Sequence, residues 1–371
     1  MLLHTERPGD RWDGLHSVRL FFGASKAVRP LRYKASMLRP RVGIVTRARA
    51  NTNNGNWRTA SRCARILAPD VRVRILPLWN AEPLEPLIAL NALRSADSIA
   101  AWAKSRHRSA SQDAAPPIVV LTGTDLYRDI QSDARAQRSL RYADALVVLQ
   151  DRGVDALPSA LRPKANVIYQ SGMTRRTVPK TKRHLRVLMV GHMREEKSPQ
   201  TLIEAAHLLR DPGDIFIDHV GSSLEPSLAR QAGSTARACP QYRWLGALSH
   251  PKTLRRIQHA HVLVHTSRME GGAHAILEAV CSGKPVIASQ VSGNIGMLGS
   301  NYDGYFPWGD AHALAALLQR CRDEPRLLAQ LARQCRARAA RFEPRRERQA
   351  VRRLVADLLR TGTGRQPEKN L

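Results

Sequence analysis

Short apolar runs without polar alternation recur along this chain, each followed by an amphipathic stretch. In the first half they are Val42-Gly-Ile-Val45, Leu87-Ile-Ala-Leu90, Ile118-Val-Val-Leu121 and Ala145-Leu-Val-Val-Leu149, with Val71–Leu76 and Val167–Tyr169 beside them. A strand with no polar side must be covered on both faces, and intervening helices provide that cover in a parallel α/β sheet. The pattern stops over residues 172–184, which hold glycine, threonine, proline and five basic residues but no apolar period. It restarts at Leu185-Arg-Val-Leu-Met-Val190 and continues through Phe216–Val220, Tyr242–Trp244, Val262–Val264 and Val286–Ala288. Two doubly wound, Rossmann-like α/β halves are therefore expected, facing across a ligand cleft at the carboxyl ends of their strands.

The expected division is a basic extension over residues 1–40, a first domain over 41–172, a linker over 173–184 and a second domain over 185–345. A C-terminal helix and tail follow over 346–371. Val351, Leu354, Val355, Leu358 and Leu359 share one helical face there, suited to packing across the junction. Residues 1–40 lack periodic apolar pattern, and no carboxylate occurs between Asp13 and Asp70. They read as a disordered tail, or as an over-long reading frame whose start is Met37.

The formal charge is +28 over 371 residues, from 49 arginines and 10 lysines against 31 acids. Such a balance points to anionic partners. The basic residues are spread along the whole chain, and aromatics are only 5%, too few for base-stacking platforms. Anionic small substrates rank first, peripheral membrane contact stays open, and nucleic acid is not expected. No apolar run approaches the roughly 20 residues of a spanning helix, and no secretory pattern is present. Five scattered cysteines lack metal spacing and a disulfide count, so a reducing cytoplasm is the expected setting.

One stretch carries most of the chemistry: Ser267-Arg-Met-Glu-Gly-Gly-Ala-His-Ala-Ile-Leu-Glu-Ala-Val-Cys-Ser-Gly-Lys-Pro-Val-Ile-Ala-Ser289. Its centre reads as a helix stopped by Gly283 and Pro285. Gly271, Gly272, Ala273 and His274 open that helix, so free N–H groups and the positive dipole end can receive a diphosphate. Glu278, inside the helix, is placed to accept ribose hydroxyls, and Glu270, before it, to reach a sugar. A second loop, Val190-Gly-His-Met-Arg-Glu-Glu-Lys197, follows a strand and offers Arg194 and Lys197 to phosphate oxygens, with Gly191 and His192 at the strand end.

In the first half, Gly55, Asn56, Arg58 and Thr59 form a turn entering a helix, suited to phosphate or sugar oxygens. Thr122, Gly123 and Asp125 follow a buried strand and should face the cleft. Asp125 has two readings, a sugar contact or a helix cap, and capping is the commoner fate. His259, His261 and His265 do not close a metal site, and no metal is expected.

These motifs, with Gly309-Asp-Ala-His-Ala-Leu314, resemble the GT-B glycosyltransferases of the family-4 type over most of residues 41–345. The first half, through Leu121-Thr-Gly-Thr-Asp-Leu-Tyr-Arg-Asp129, Ala143-Asp-Ala-Leu-Val-Val-Leu-Gln150 and Val167-Ile-Tyr-Gln-Ser171, resembles the selenosugar synthases of selenoneine biosynthesis. That resemblance implies transfer from UDP-N-acetylglucosamine or UDP-glucose to selenophosphate, a new carbon–selenium bond, release of UDP and phosphate, and no cofactor. It implies Glu270, Lys197 and Arg194 as catalytic groups. Two departures stand out. His192 sits where the wider family has arginine, which leaves Arg194 to supply the cation. Thr122 sits where many members have histidine, either a tolerable loss for a soft acceptor that is already anionic or the mark of an altered donor-sugar contact. The alternatives are a lipid or cell-envelope acceptor and, remotely, a basic nucleic-acid-binding protein.

Overall fold

The computed structural model describes residues 39–48, 55–84, 86–108, 117–209 and 214–363. The expectations for residues 1–38, for the polar loop at 51–54 and for the tail after 363 lie outside these. The first lobe is a six-stranded sheet of β1 (Arg41–Val45), β2 (Arg72–Leu76), β3 (Leu87–Leu90), β4 (Ile118–Val120), β5 (Ala145–Val148) and β6 (Ala165–Val167). Its order is β2-β1-β3-β4-β5-β6, and every pairing is parallel. The second lobe holds β7 (Leu185–Val190), β8 (Ile215–Val220), β9 (Tyr242–Trp244), β10 (Val262–His265), β11 (Val286–Ser289) and β12 (Tyr305–Phe306), in the order β12-β11-β10-β7-β8-β9. It too is parallel throughout.

The helices are α1 (Gly55–Leu67), α2 (Ala96–Arg108), the single turn α3 (Ile130–Ser132), α4 (Ala134–Tyr142), α5 (Pro199–Leu208) and α6 (Pro226–Ala238). They continue with α7 (His250–His259), α8 (His274–Cys281), α9 (Ser292–Leu298), α10 (Ala311–Asp323), α11 (Pro325–Arg338) and α12 (Pro344–Thr363). The apolar strands behave as their composition requires. Ile118 and Val120 pack on one face of the first sheet with Ile88, while Val119 and Leu121 pack on the other with Leu126 and Leu140. Pleating sends alternate side chains to opposite faces, so both are covered by helices.

The C-terminal helix crosses back from the second lobe. Val351, Val355 and Leu359 of α12 join the core of the first lobe, beside Ala60 and Leu67 of α1. The chain thus returns to the lobe it began in. Glu347 anchors the return: its buried carboxylate accepts from Arg62 Nη1 at 3.0 Å, Ser171 N at 2.8 Å and Ser171 Oγ at 2.5 Å. Ile88, 3% exposed, lines a cavity of about 30 Å³ under α12 with Val351 and Val355. Ile88→Ala would enlarge that void and should cost about 2–5 kcal/mol in urea unfolding; a cost below about 0.5 kcal/mol would show that this core is not packed as described.

Among the described residues no helix is long and apolar enough to cross a membrane. None of the five cysteines is in a disulfide. Cys281 is pushed up to about 11 by burial, as a packed thiol rather than a nucleophile.

Candidate active site

In the second sheet, strand order runs from β7 outward to β8 and β9 on one side, and to β10, β11 and β12 on the other. The reversal lies between β7 and β10, and a crevice opens at the carboxyl ends of strands flanking such a point. The loops that leave these two strands are Gly191–Ser198 and Thr266–Ala273, the two stretches singled out by their residues.

The loop after β7 is tightly shaped. Gly221 lies so close that a Cβ there would stand 1.8 Å from Gly191 O. His219, buried and held down to about 4 by that burial, stays neutral between Gly191 O and the Tyr242 hydroxyl, at 3.1 Å from each. A 3₁₀ turn over Glu195–Lys197 leads to Ser198, which takes a left-handed φ of 45°. Such a backbone persists only when neighbours fix it; here Trp308 Nε1 donates to Ser198 Oγ at 3.0 Å and Thr266 Oγ1 donates to Lys197 O at 2.7 Å. The result is a lysine delivered to one place.

That place is Glu270. Lys197 Nζ pairs with Glu270 Oε1, and His265 Nε2 lies 3.0 Å from the same oxygen. Burial works to raise the Glu270 pKa, but the Lys197 charge and the His265 hydrogen bond outweigh it, so the carboxyl sits well below its usual range. His265 is itself held down by burial and the Lys197 charge, so it is a neutral imidazole whose Nε2–H donates to the carboxylate. Ser267, Ser289 and Asn294 continue the network: Ser289 Oγ donates to Ser267 O at 2.6 Å, and Asn294 Nδ2 to Ser289 O at 3.0 Å. Arg194 stands at the edge, its Nε 3.8 Å from Glu196 and buried without a hydrogen bond. His192 Nδ1 accepts from Ser222 N at 3.1 Å.

Helix α8 starts at His274, after Gly271, Gly272 and Ala273, and Gly283 takes φ 65° just past its end. His274 is held down to about 3 by burial and by the Arg58 charge, and its Nε2 is buried with no hydrogen-bond partner. It is a neutral ring with a polar atom left for a ligand at the positive end of a helix.

Glu278 lies one turn into α8 and is spoken for. Its Oε1 accepts from Arg58 Nη2 at 2.5 Å across the cleft and lies 2.8 Å from His250 Nε2. Burial raises its pKa, yet the His250 hydrogen bond and the Arg58 charge outweigh burial and bring it to about 2. A folded-state pKa below the unfolded value of 4.5 means stabilisation that is full above about pH 4.5 and fades as pH falls toward about 2. Unfolding free energies of Glu278→Gln and the parent should therefore converge over that window; a gap that stays constant down to about pH 3 would exclude the ion pair.

The first-lobe residues behave less uniformly. Arg58 meets Glu278 rather than open cleft. Thr59 is buried: its hydroxyl donates to Gly55 O at 3.0 Å and accepts from Gln170 Nε2 at 2.7 Å, so it is turned away from ligand. Gly55 and Asn56 are the first residues of α1, not a loop before it. Asp125 does not cap the next helix: it is the first residue of the helical turn Asp125–Asp129, which has no side-chain cap. It is fully buried and accepts from Ala92 N at 2.9 Å, Thr122 N at 2.8 Å and Gly123 N at 3.0 Å, with burial raising its pKa against those bonds. Thr122 Oγ1 accepts from Asn91 Nδ2 at 3.3 Å. This knot presents Gly123, at φ 132°, to the second lobe, where a Cβ would come within 2.9 Å of Gly271 N. From the other side, a Cβ on Gly271 would lie 2.5 Å from Thr122 C and 2.6 Å from Thr122 O. The two glycine loops meet backbone to backbone.

Residues 173–341 match the family model of Glycosyl transferases group 1. That stretch, less than half of the chain, is similar to the glycosyltransferases of group 1. Among curated proteins, the chain is 32% identical over 146 residues to the amylovoran biosynthesis glycosyltransferase AmsK of Erwinia amylovora, 37% of this chain. It covers 35% of that relative's length. Among solved structures, a sucrose-phosphate synthase from Thermosynechococcus elongatus superposes with a TM-score of 0.69 at 16% identity, over 87% of this chain and 100% of that one. HepE of Anabaena, solved with UDP and glucose, gives 0.66 at 15% identity over the same shares. The paired lobes have the GT-B fold.

His265 and His250 are the site residues that the sequence reading missed. His265 carried a signal, a polar residue ending an otherwise apolar strand beside the Glu270 loop. His250 carried none, because its partner Glu278 lies 28 residues away.

Proposed function

We propose that the protein is a glycosyltransferase that moves a sugar from a UDP-sugar, UDP-glucose or UDP-N-acetylglucosamine, to selenophosphate. The observation that carries the donor half is the pairing of Lys197 with Glu270, just ahead of the N-terminus of α8, where the second sheet reverses its strand order. In this reading the diphosphate lies against the N–H groups of residues 271–274 with Lys197 and Arg194 beside it, and these groups stabilise charge growing on departing UDP. Glu278 takes the ribose hydroxyls once Arg58 yields. Glu270, kept ionised by Lys197 and His265, accepts from the sugar or holds the lysine in place.

The selenophosphate half rests on the first-lobe motifs and on an absence of base among the described residues near Gly123 and Gly271. Asp125 is consumed by backbone N–H groups, Glu270 is ion-paired, and His274 is held too low to bind a proton near neutrality. An alcohol acceptor asks for a base, whereas an ionised selenium nucleophile does not. Selenium attacks the anomeric carbon as its bond to the UDP oxygen breaks. Water then cleaves the selenium–phosphorus bond, leaving selenosugar and phosphate. A second reading keeps a lipid or cell-envelope acceptor, in line with the likeness to AmsK, a glycosyltransferase of amylovoran biosynthesis.

One assay separates these. The full chain is incubated with UDP-glucose or UDP-N-acetylglucosamine and selenophosphate, with UDP release and product mass as readouts. A selenium-containing sugar is the expected product. UDP binding without any selenosugar would overturn the acceptor, and failure to bind UDP or either UDP-sugar would overturn the whole reading.

A further inference from the structure

A crevice of about 560 Å³ lies beside the glycosyl site, between α1, α12, α7, α8 and the segment Ser171–Arg175. Six arginines line it: Arg58, Arg62, Arg65, Arg175, Arg348 and Arg352. Only two carboxylates face them, Glu278 and Glu347, and each already holds an arginine. Arg352 reaches Asp70 at 2.9 Å. Arg65, Arg175 and Arg348 make no ion pair among the described residues, and Arg62 keeps a buried Nε without a partner. Guanidiniums gathered on the walls of one concavity repel one another, and their planar forks match phosphate oxygens. The volume is that of a small-molecule site.

We propose that this crevice is a second anion-binding site, taking a small phosphorylated molecule next to the donor's diphosphate site and distinct from it. None of Gly191, Lys197, Glu270 or Gly271–His274 lines the crevice. What the two sites share is the Arg58–Glu278 pair, which lines the crevice at one end. A phosphate bound there gives Arg58 a partner other than Glu278 and frees that carboxylate for ribose. Binding in the crevice and binding of UDP therefore favour each other, by reciprocal linkage. This coupling rests on the donor placement proposed above; the anion site itself does not.

Pyrophosphate is the probe, titrated calorimetrically at fixed ionic strength into the full chain saturated with UDP, so that the donor's phosphate groove is already filled. Wild type should bind it at one site. Arg65→Gln with Arg348→Gln, both exposed on their helices, should weaken that binding by at least tenfold and leave UDP affinity within threefold. No pyrophosphate heat in the UDP-saturated wild type overturns the proposal, as does undiminished binding in the double variant. A parallel loss of UDP binding also overturns it, because the crevice would then be part of the donor site. If UDP itself does not bind, the donor reading fails, and the same variant titrated without UDP still decides the crevice.

Discussion

Gly271→Ala should lower turnover by at least about 100-fold while leaving UDP affinity within threefold. A Cβ at that position would stand 2.5–2.7 Å from Thr122 C, Thr122 O and Gly123 N, and these are backbone atoms that cannot swing aside. Thr122 and Gly123 are in turn held by the Asp125 carboxylate, buried to 0% exposure and bonded to three N–H groups. The knot cannot give, so the lobes must part. Displacements of about 1 Å between groups that handle the two substrates cost on the order of 100-fold. The UDP contacts proposed above belong to the second lobe alone and should survive. Calorimetry with UDP and steady-state assay of the transfer reaction test both halves; turnover within threefold of the parent would show that this backbone contact does not set the productive geometry.

Lys197→Ala should lower turnover at saturating donor by about 100- to 1000-fold, the range for removing one group that stabilises developing charge in a site shielded from water. A second effect travels with it. Lys197 is the largest influence holding the buried Glu270 ionised, so its loss lets burial raise the Glu270 pKa. The residual activity should then fall with acidification at a higher pH than in the parent. Lys197→Gln, which keeps length without charge, should behave as the alanine variant does. Full turnover in either variant would make Lys197 only a partner of Glu270 and return the charge stabilisation to Arg194 and the helix N-terminus.

Much of the architecture was legible because the strands are unusually plain. Ile118 and Val120 on one face and Val119 and Leu121 on the other leave no face for solvent, and the restart at Leu185 after a basic linker pointed to a second sheet. The loops that leave β7 and β10 were legible as loops too, since their glycines and charges stand directly after apolar strands. What the sequence did not disclose was competition for the same side chains. Thr59 has the chemistry of a phosphate ligand, but the hydroxyl is absorbed by Gly55 O and Gln170. Arg58 has that chemistry as well, yet a carboxylate 220 positions away claims it. Such outcomes depend on which neighbour arrives, and chain order does not record it. The α12 helix shows the same limit: its apolar face was plain, but nothing in its residues says which of two similar sheets it will cover.

The return of that helix has a mechanical consequence. Polypeptide crosses between the lobes twice, once along residues 168–184 and once near Phe342–Pro344. Two tethers define a hinge, so relative motion is confined to a swing about the line joining them, with free twisting suppressed. A fragment ending at residue 172 would lack α12, and with it the cover that Val351 and Val355 give Ile88, Ile118 and Val120. The lobes can be parted by rotation but not by a single cut.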